Sequence, residues 1–554
     1  MDIADFERFA SNKAYDSVPI HRLAISHGLS LLDSVAFERL KRVHTLEIRI
    51  PGNAITFPCL SNITLLSFSP GSRPCEQIHF PPNLVNLEMW WNPRDPVVQN
   101  CSHPLKFPES LTRLKIGHMR VPMSCLRSLP CRLQELGLFY PLGLDGDGCF
   151  GFTTGLPPSL VCLTLEASNT TSLADIVLPP RLEEFHLSGT RILSIPVTYR
   201  FPQTLRTLSL AGNKDFKAVH RRLPFNLEGL DLSCCSLTPR VIAMVKFPAS
   251  IQRLNLAGNH LPSLTFLESL PPTLIDLNMS NNELTYIGGS LVFPSSLRVL
   301  SLDSNPDLFI KRSLRDLKLP RHLRTLSMRD TGITSLKGLR IPQNLRSLDV
   351  SANNITVIDN FRAPLLEVLH LGGNPLQDIS FCDWTTPSCL HRLVITRLPI
   401  GFDIPVSVTH LSVRGCSDNP SPSFFDVGAS RVSILRVRFP ENLEELEVMN
   451  CQLDRLVPFP KSLKRLDLSN NQISSISDAE FPPRLEELNL SSNRLTSVEG
   501  VVLPASLKFL YARDNEISSM SGFVLPKKLQ ILDLSNNGLL DIGSGFPRSV
   551  LVRH

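Results

Sequence analysis

Apolar residues recur along this chain at alternating spacings of three and two, and the whole set repeats. Leu463, Leu466, Leu468, Asn471 and Ile473 return as Leu485, Leu488, Leu490, Asn493 and Leu495. They return again as Leu507, Leu510, Ala512, Asn515 and Ile517, then as Leu529, Leu532, Leu534, Asn537 and Leu539, each step being 22 residues. Self-similarity at such a period marks an array of small units that bury one core together, and it overrides any domain count taken from length.

The pattern, LxxLxLxxNxL, resembles the leucine-rich repeat. Carried backward, the template starts units at Val43, Ile63, Leu84, Leu111, Leu133, Leu160, Leu182, Leu205, Leu227, Ile251, Leu274, Leu297, Leu323, Leu345, Leu366, Leu390, Val408 and Leu443, ahead of the four just given. That makes 22 units from residue 43 to the C-terminus. The resemblance implies an α/β-type repeat solenoid: a leucine-rich repeat horseshoe with one long parallel sheet on its concave face and a continuous leucine core. It also implies that each Asn side chain bonds the turn leaving its strand, forming a ladder between units. Cys235, Cys416, Cys451, Thr190 and Thr331 occupy that slot, so Cys234-Cys235 is expected to be structural, not a metal site or a nucleophile. A second apolar pair follows the slot, as in Ile333 with Leu336, Ile355 with Ile358 and Ile473 with Ile476. The step is too short for a long helix and predicts a mostly non-helical convex side, similar to the phosphatase-regulator and bacterial subtypes.

Proline stands three residues before the first template position in 19 of the 22 units. Its fixed φ suits an extended lead into the strand, and its missing N–H is tolerable just before ladder pairing begins. The residue before it is usually apolar, often Phe: Phe80, Phe107, Phe201, Phe247, Phe293, Phe439, Phe459 and Phe481. These rings are expected to stack as a second apolar spine. The Pro-led form, as in Phe481-Pro-Pro-Arg-Leu485, resembles the LPxxLxxL repeats of secreted bacterial ubiquitin-ligase effectors. It is also similar to repeats of fungal and amoebal leucine-rich proteins, some of which carry an F-box.

Residues 1–42, with Ile3, Phe6, Phe9, Leu23, Ile25, Leu29, Leu32, Val35, Phe37 and Leu40, have helix-like spacing and are expected to form a helical N-terminal cap. The repeat domain then covers 43–554. Its C-terminal edge carries no polar cap and invites pairing with a partner, a second copy or the last residues of the chain.

Composition narrows the function. With 56 Lys+Arg against 51 Asp+Glu the net charge is +5, too balanced for a nucleic-acid binder. No run is apolar and long enough to span a membrane. No basic, apolar leader opens the chain, and the 13 Cys follow no disulfide framework, so an intracellular setting, cytoplasmic or nuclear, is expected. Motifs for phosphate-binding loops, zinc proteases or serine hydrolases are absent. Asp145-Gly-Asp-Gly148 starts like a calcium loop, but Leu156 stands where a bidentate Glu is needed. No cofactor, metal or catalytic residue is expected.

A non-catalytic protein-interaction scaffold remains, binding a protein partner through the concave face and inserted loops such as Pro420-Ser-Pro-Ser-Phe-Phe425. Most outward positions are small, but the units at Leu84, Leu111 and Leu133 present Trp90, Trp91, Arg113, Lys115, His118, Phe139 and Tyr140. Aromatic and Arg side chains dominate binding energy at interfaces. A second cluster is Phe509, Tyr511 and Arg513, flanked by acidic residues, and Arg392, Arg397, His410 and Arg414 form a basic stripe. Two alternatives are a substrate-recognition subunit of a ubiquitin ligase and a regulatory subunit of a protein phosphatase. The second rests on Arg436-Val437-Arg438-Phe439, which fits an RVxF docking motif.

Overall fold

A computed structural model describes residues 22–25, 45–48, 63–69, 78–91, 104–118, 126, 128–139, 156–166, 171–173, 176–196, 198–219, 223–263, 270–286, 292–310, 314–359, 361–381, 389–398, 402–415, 437–539 and 551–553. They belong to two compact units, 1–261 with 269–277, and 262–268 with 278–554. Every one of the 22 template repeats contributes a strand that begins at its third position, from Thr45–Ile48 to Ile531–Asp533. In the first unit the strands pair in parallel and in repeat order, as Asn86–Trp90 does with Arg113–Gly117 and then Glu135–Phe139. The second unit repeats the arrangement, as in Arg465–Asp467 with Glu487–Asn489 and then Phe509–Tyr511.

Template leucines at the first, fourth and sixth positions form the core: Leu111, Leu114 and Ile116 in one repeat, and Leu485, Leu488 and Leu490 in another, are at most 1% exposed. Burying each such side chain contributes roughly 1.5–3 kcal/mol, available only because the neighbouring repeats cover it.

The asparagine ladder forms as expected. Asn353 donates to the carbonyls of Val350 (3.0 Å) and Ser351 (3.0 Å) in its own repeat and of Met328 (2.8 Å) in the preceding one. Its Oδ1 accepts from the backbone N–H groups of Thr331 and Ile333, both at 3.0 Å. Asn259, Asn471, Asn493 and Asn515 repeat the pattern. Cys235 fills the slot with its thiol, donating to the carbonyls of Leu210 (3.0 Å) and Ser233 (3.4 Å). Thr190 and Thr331 use their hydroxyls in the same way. Burial pushes the Cys235 thiol up to about 12. Native protein is therefore expected to leave Cys235 unmodified by iodoacetamide while exposed Cys131, Cys234 and Cys389 react, a difference read by peptide mass spectrometry. Equal labelling of Cys235 would contradict its ladder role. Cys416 lies outside the described residues.

The residue just before the slot adopts positive φ in most repeats, for example Asn281 (52°), Ala352 (51°), Asn470 (57°) and Ser492 (56°), with glycine at 189, 212, 258 and 373. This left-handed step turns the chain off the strand and explains the small or Asn-like residues there.

Proline does more than lead into the strand. The carbonyl of the proline accepts the N–H of the first template residue three positions later, as Pro108 does from Leu111 (3.1 Å) and Pro526 from Leu529 (3.0 Å). Each leading proline among the described residues that accepts this bond thus opens a hydrogen-bonded β-turn. The Phe spine is only partial. Phe80 and Phe107 stack with centroids 5.5 Å apart, but the row's other described rings make no such pair among the described residues, not even Phe439, Phe459 and Phe481 of three consecutive repeats. Between strands the chain stays extended or takes single turns such as Pro239–Ile242 and Leu314–Asp316. Short parallel pairs add a second ladder, Ser194–Ile195 with Ala218–Val219 and Val357–Asp359 with Asp378–Phe381.

Two strands exceed expectation. Arg22–Ile25 pairs with Thr45–Ile48, so sheet pairing begins inside the 1–42 segment, whose remaining residues lie outside those described. Leu551–Arg553 pairs with Ile531–Asp533, so of the three occupants expected for the edge of the Leu529 repeat, it is the chain's own last residues that pair there. Among the described residues no helix is long and apolar enough to cross a membrane.

Candidate functional site

On the open face of the sheet one outward side chain in each of seven repeats is engaged with its own backbone. At the fifth position of each repeat, Asp231, Asn255, Asn278, Asp349, Asp467, Asn489 and Asp533 accept the N–H of the residue two further on, at 2.8–3.1 Å. These Asx-type turns give the small polar residues of those repeats a structural task.

The repeats at Leu84, Leu111 and Leu133 differ. Their strands are five residues long, Asn86–Trp90, Arg113–Gly117 and Glu135–Phe139, and the fifth positions are Glu88, Lys115 and Gly137. Trp90, Gly117 and Phe139 share one row. Trp90 and Phe139 are two strands apart, roughly 9–10 Å of backbone, yet their rings stack at a centroid distance of 5.4 Å and 28°. Gly117 between them makes this possible: a Cβ there would lie 2.0 Å from Cε3 of Trp90. Phe139 in turn leans over Gly137, where a Cβ would lie 2.8 Å from its ring. The result is an aromatic shelf with Trp90 38% exposed. Beside it Glu135 receives both Arg113 (3.4 Å) and Lys115 (3.3 Å).

Gly117→Val should therefore displace the Trp90 ring without disrupting the strand, since a β-branched residue suits a strand. The near-ultraviolet circular dichroism of the stacked pair should fall to that of Trp90→Ala while the far-ultraviolet spectrum holds; an unchanged near-ultraviolet spectrum would contradict this geometry.

Trp91 is not on the open face. It is 2% exposed, because Leu87, Met89 and Trp91 are two apart on one extended strand and must share the inner side. Its backbone N–H donates to the carbonyl of Gly117 (3.0 Å), while its indole N–H is buried without a protein partner. His118 lies past the strand in a left-handed turn (φ 49°), half-buried and outside the row of Trp90 and Phe139. Tyr140, the Asp145–Gly148 turn and the Phe424–Phe425 loop lie outside the described residues.

The second cluster is less developed. Phe509 and Tyr511 are half-buried, and Arg513 is turned to Asp514 (3.1 Å). The basic stripe is compensated in part: Arg414 pairs with Glu447 (2.8 Å) and His410 with Glu445 (3.5 Å), while Arg397 donates to the carbonyl of Leu376 (2.6 Å). Burial works against the charge on Glu447, but donation from Arg414 and from Ser412 (2.7 Å) outweighs it and holds the carboxyl below its usual range. Of the RVxF residues, Phe439 is half-buried in the Phe row and Arg436 lies outside the described residues.

One constellation escaped the sequence reading. Cys162, Glu184 and His186 bring their ligand atoms within 4.8 Å of one another on adjacent strands. Counting register would have found it, since Cys162 and Glu184 are third, and His186 fifth, in consecutive repeats.

Comparison with known proteins agrees with the ladder. Residues 462–482 and 483–539 match models described as leucine rich repeat. No curated protein matches the chain. Among solved structures, one titled as a TLR13–ssRNA13 complex is 16% identical with a TM-score of 0.55, covering 93% of this chain and 85% of that one. YopM from Yersinia enterocolitica WA-314 is 20% identical with a TM-score of 0.40, covering 99% of each chain. YopM from Yersinia pestis is 24% identical with a TM-score of 0.38, covering 70% of this chain and 87% of that one.

Proposed function

Since this chain is a leucine-rich repeat protein, we propose that it is a non-catalytic scaffold that binds a protein partner through the open face of the repeats at Leu84, Leu111 and Leu133. The observation that carries the reading is the exposed Trp90 ring stacked on Phe139 over Gly117. Large aromatic surface beside matched charges is the composition of an interface centre with a polar rim. The outward polar residues of many other repeats are held in Asx-type turns, which leaves them less to offer a ligand. Charge argues for protein over nucleic acid. The TLR13 complex pairs a similar fold with single-stranded RNA, but here the two cations of the shelf share Glu135 and Lys115 also stands opposite Glu88 in the register, and polyanion binding draws on unmatched positive charge.

Quantitative affinity capture tests this. The wild-type chain is compared with a Trp90→Ala/Phe139→Ala variant and a Phe509→Ala/Tyr511→Ala variant. Specific protein partners should be lost from the first variant and kept by the second. The opposite pattern would move the site to the Leu507 repeat, and binding of a single-stranded oligonucleotide with a steep salt dependence would replace the protein reading.

A further inference from the structure

We infer that Cys162, Glu184 and His186 form a binding site for a single zinc-class divalent ion on the open face of the first compact unit. The donor set is a thiol, a carboxylate and an imidazole, the ligand types of three-residue zinc sites that keep a fourth position for water. Thiolate and imidazole together favour zinc over calcium or magnesium, which take oxygen ligands. The placement comes from the sheet. Glu184 and His186 are two apart on the strand Glu184–His186 and so share a face. Cys162 stands directly opposite Glu184 in the parallel register.

The three ligand atoms all lie within 4.8 Å of one another, with His186 Nε2 3.6 Å from a Glu184 oxygen. A zinc ion with bonds of about 2.0–2.3 Å would hold tetrahedral donors roughly 3.5 Å apart. The gap closes by side-chain rotation on strands that the ladder keeps fixed. Cys162 faces Glu184 directly across the register and lies with its sulfur among the other two donors. On binding, the thiol proton leaves to solvent and the sulfur donates its electron pair to the metal, with no change in oxidation state. This inference is independent of the protein-binding proposal, and its readout does not involve a partner.

The test uses the full chain, stripped with chelator, kept reduced and titrated with cobalt(II). One equivalent should give the intense visible bands of tetrahedral cobalt and a sulfur-to-cobalt charge-transfer band, both bleached by zinc. Cys162→Ser should abolish the charge-transfer band, and His186→Gln should weaken binding at least tenfold with the far-ultraviolet spectrum unchanged. Cys131→Ser and Cys389→Ser should leave the titration as in wild type. A charge-transfer band that survives in Cys162→Ser, an octahedral cobalt spectrum, or no saturable binding would overturn the site. If Cys162→Ser does not fold, His186→Gln decides alone: unchanged affinity in that variant rejects the proposal.

Discussion

Asn353→Leu is expected to lower local stability by about 3–5 kcal/mol, the largest effect of any single substitution considered for the scaffold. The side chain is 3% exposed and satisfies groups in two repeats at once. Its loss strands the N–H groups of Thr331 and Ile333, which are 0% and 1% exposed, while the carbonyls of Met328 and Val350 keep donors from the Thr331 hydroxyl and the Asn374 amide. Each buried unpaired group costs about 1–3 kcal/mol, and leucine matches the size of Asn without offering a bond. Asn353→Thr should cost less, because a hydroxyl serves the same slot at Thr190 and Thr331. Hydrogen exchange followed by mass spectrometry is the suitable measurement, since repeat arrays open locally and do not always unfold as one step. Protection should collapse over residues 328–355. A Leu variant as protected as wild type would show that the ladder contributes little.

The second large effect concerns binding. Trp90→Ala should weaken partner binding by about 2 kcal/mol or more, roughly thirtyfold, as truncation of a central aromatic anchor does. Phe139→Ala should weaken it comparably through two losses, its own contact surface and the ring on which Trp90 rests. The double variant should fall short of the sum, because rings in contact are not independent. Tyr511→Ala should change affinity by less than about 0.5 kcal/mol. Titration of purified partner with each variant gives these values. Additive losses at Trp90 and Phe139 would mean that the two rings do not act as one surface.

Much of the fold was legible because a repeat writes the same structural instruction many times. The first, fourth and sixth positions mark what faces inward, and the asparagine slot marks where the chain turns. Strand Arg22–Ile25 was missed although Leu23 and Ile25 stand 23 residues ahead of Leu46 and Ile48, within the range of the repeat spacing. Trp91 was misplaced because two adjacent residues on one extended strand cannot both face outward, a rule that applies wherever the strand runs to five residues. What stayed hidden depends on neighbours across strands. Glu135 shared by Arg113 and Lys115, Glu447 holding Arg414, and the grouping of Cys162 with Glu184 and His186 all require register across repeats of unequal length. Gly117 carried no signal of its own, since a glycine matters there only because two rings meet above it.

The shelf as the docking site is tested most directly by site-specific photocrosslinking of the captured partner. A photoreactive residue replaces Lys115 beside the shelf, Tyr511 in the Leu507 repeat, or exposed Val502 on a connecting segment. The partner should crosslink from position 115 and not from 511 or 502, and Trp90→Ala should abolish that crosslink. Crosslinks arising from 502 or 511 with none from 115 would contradict binding through the aromatic face.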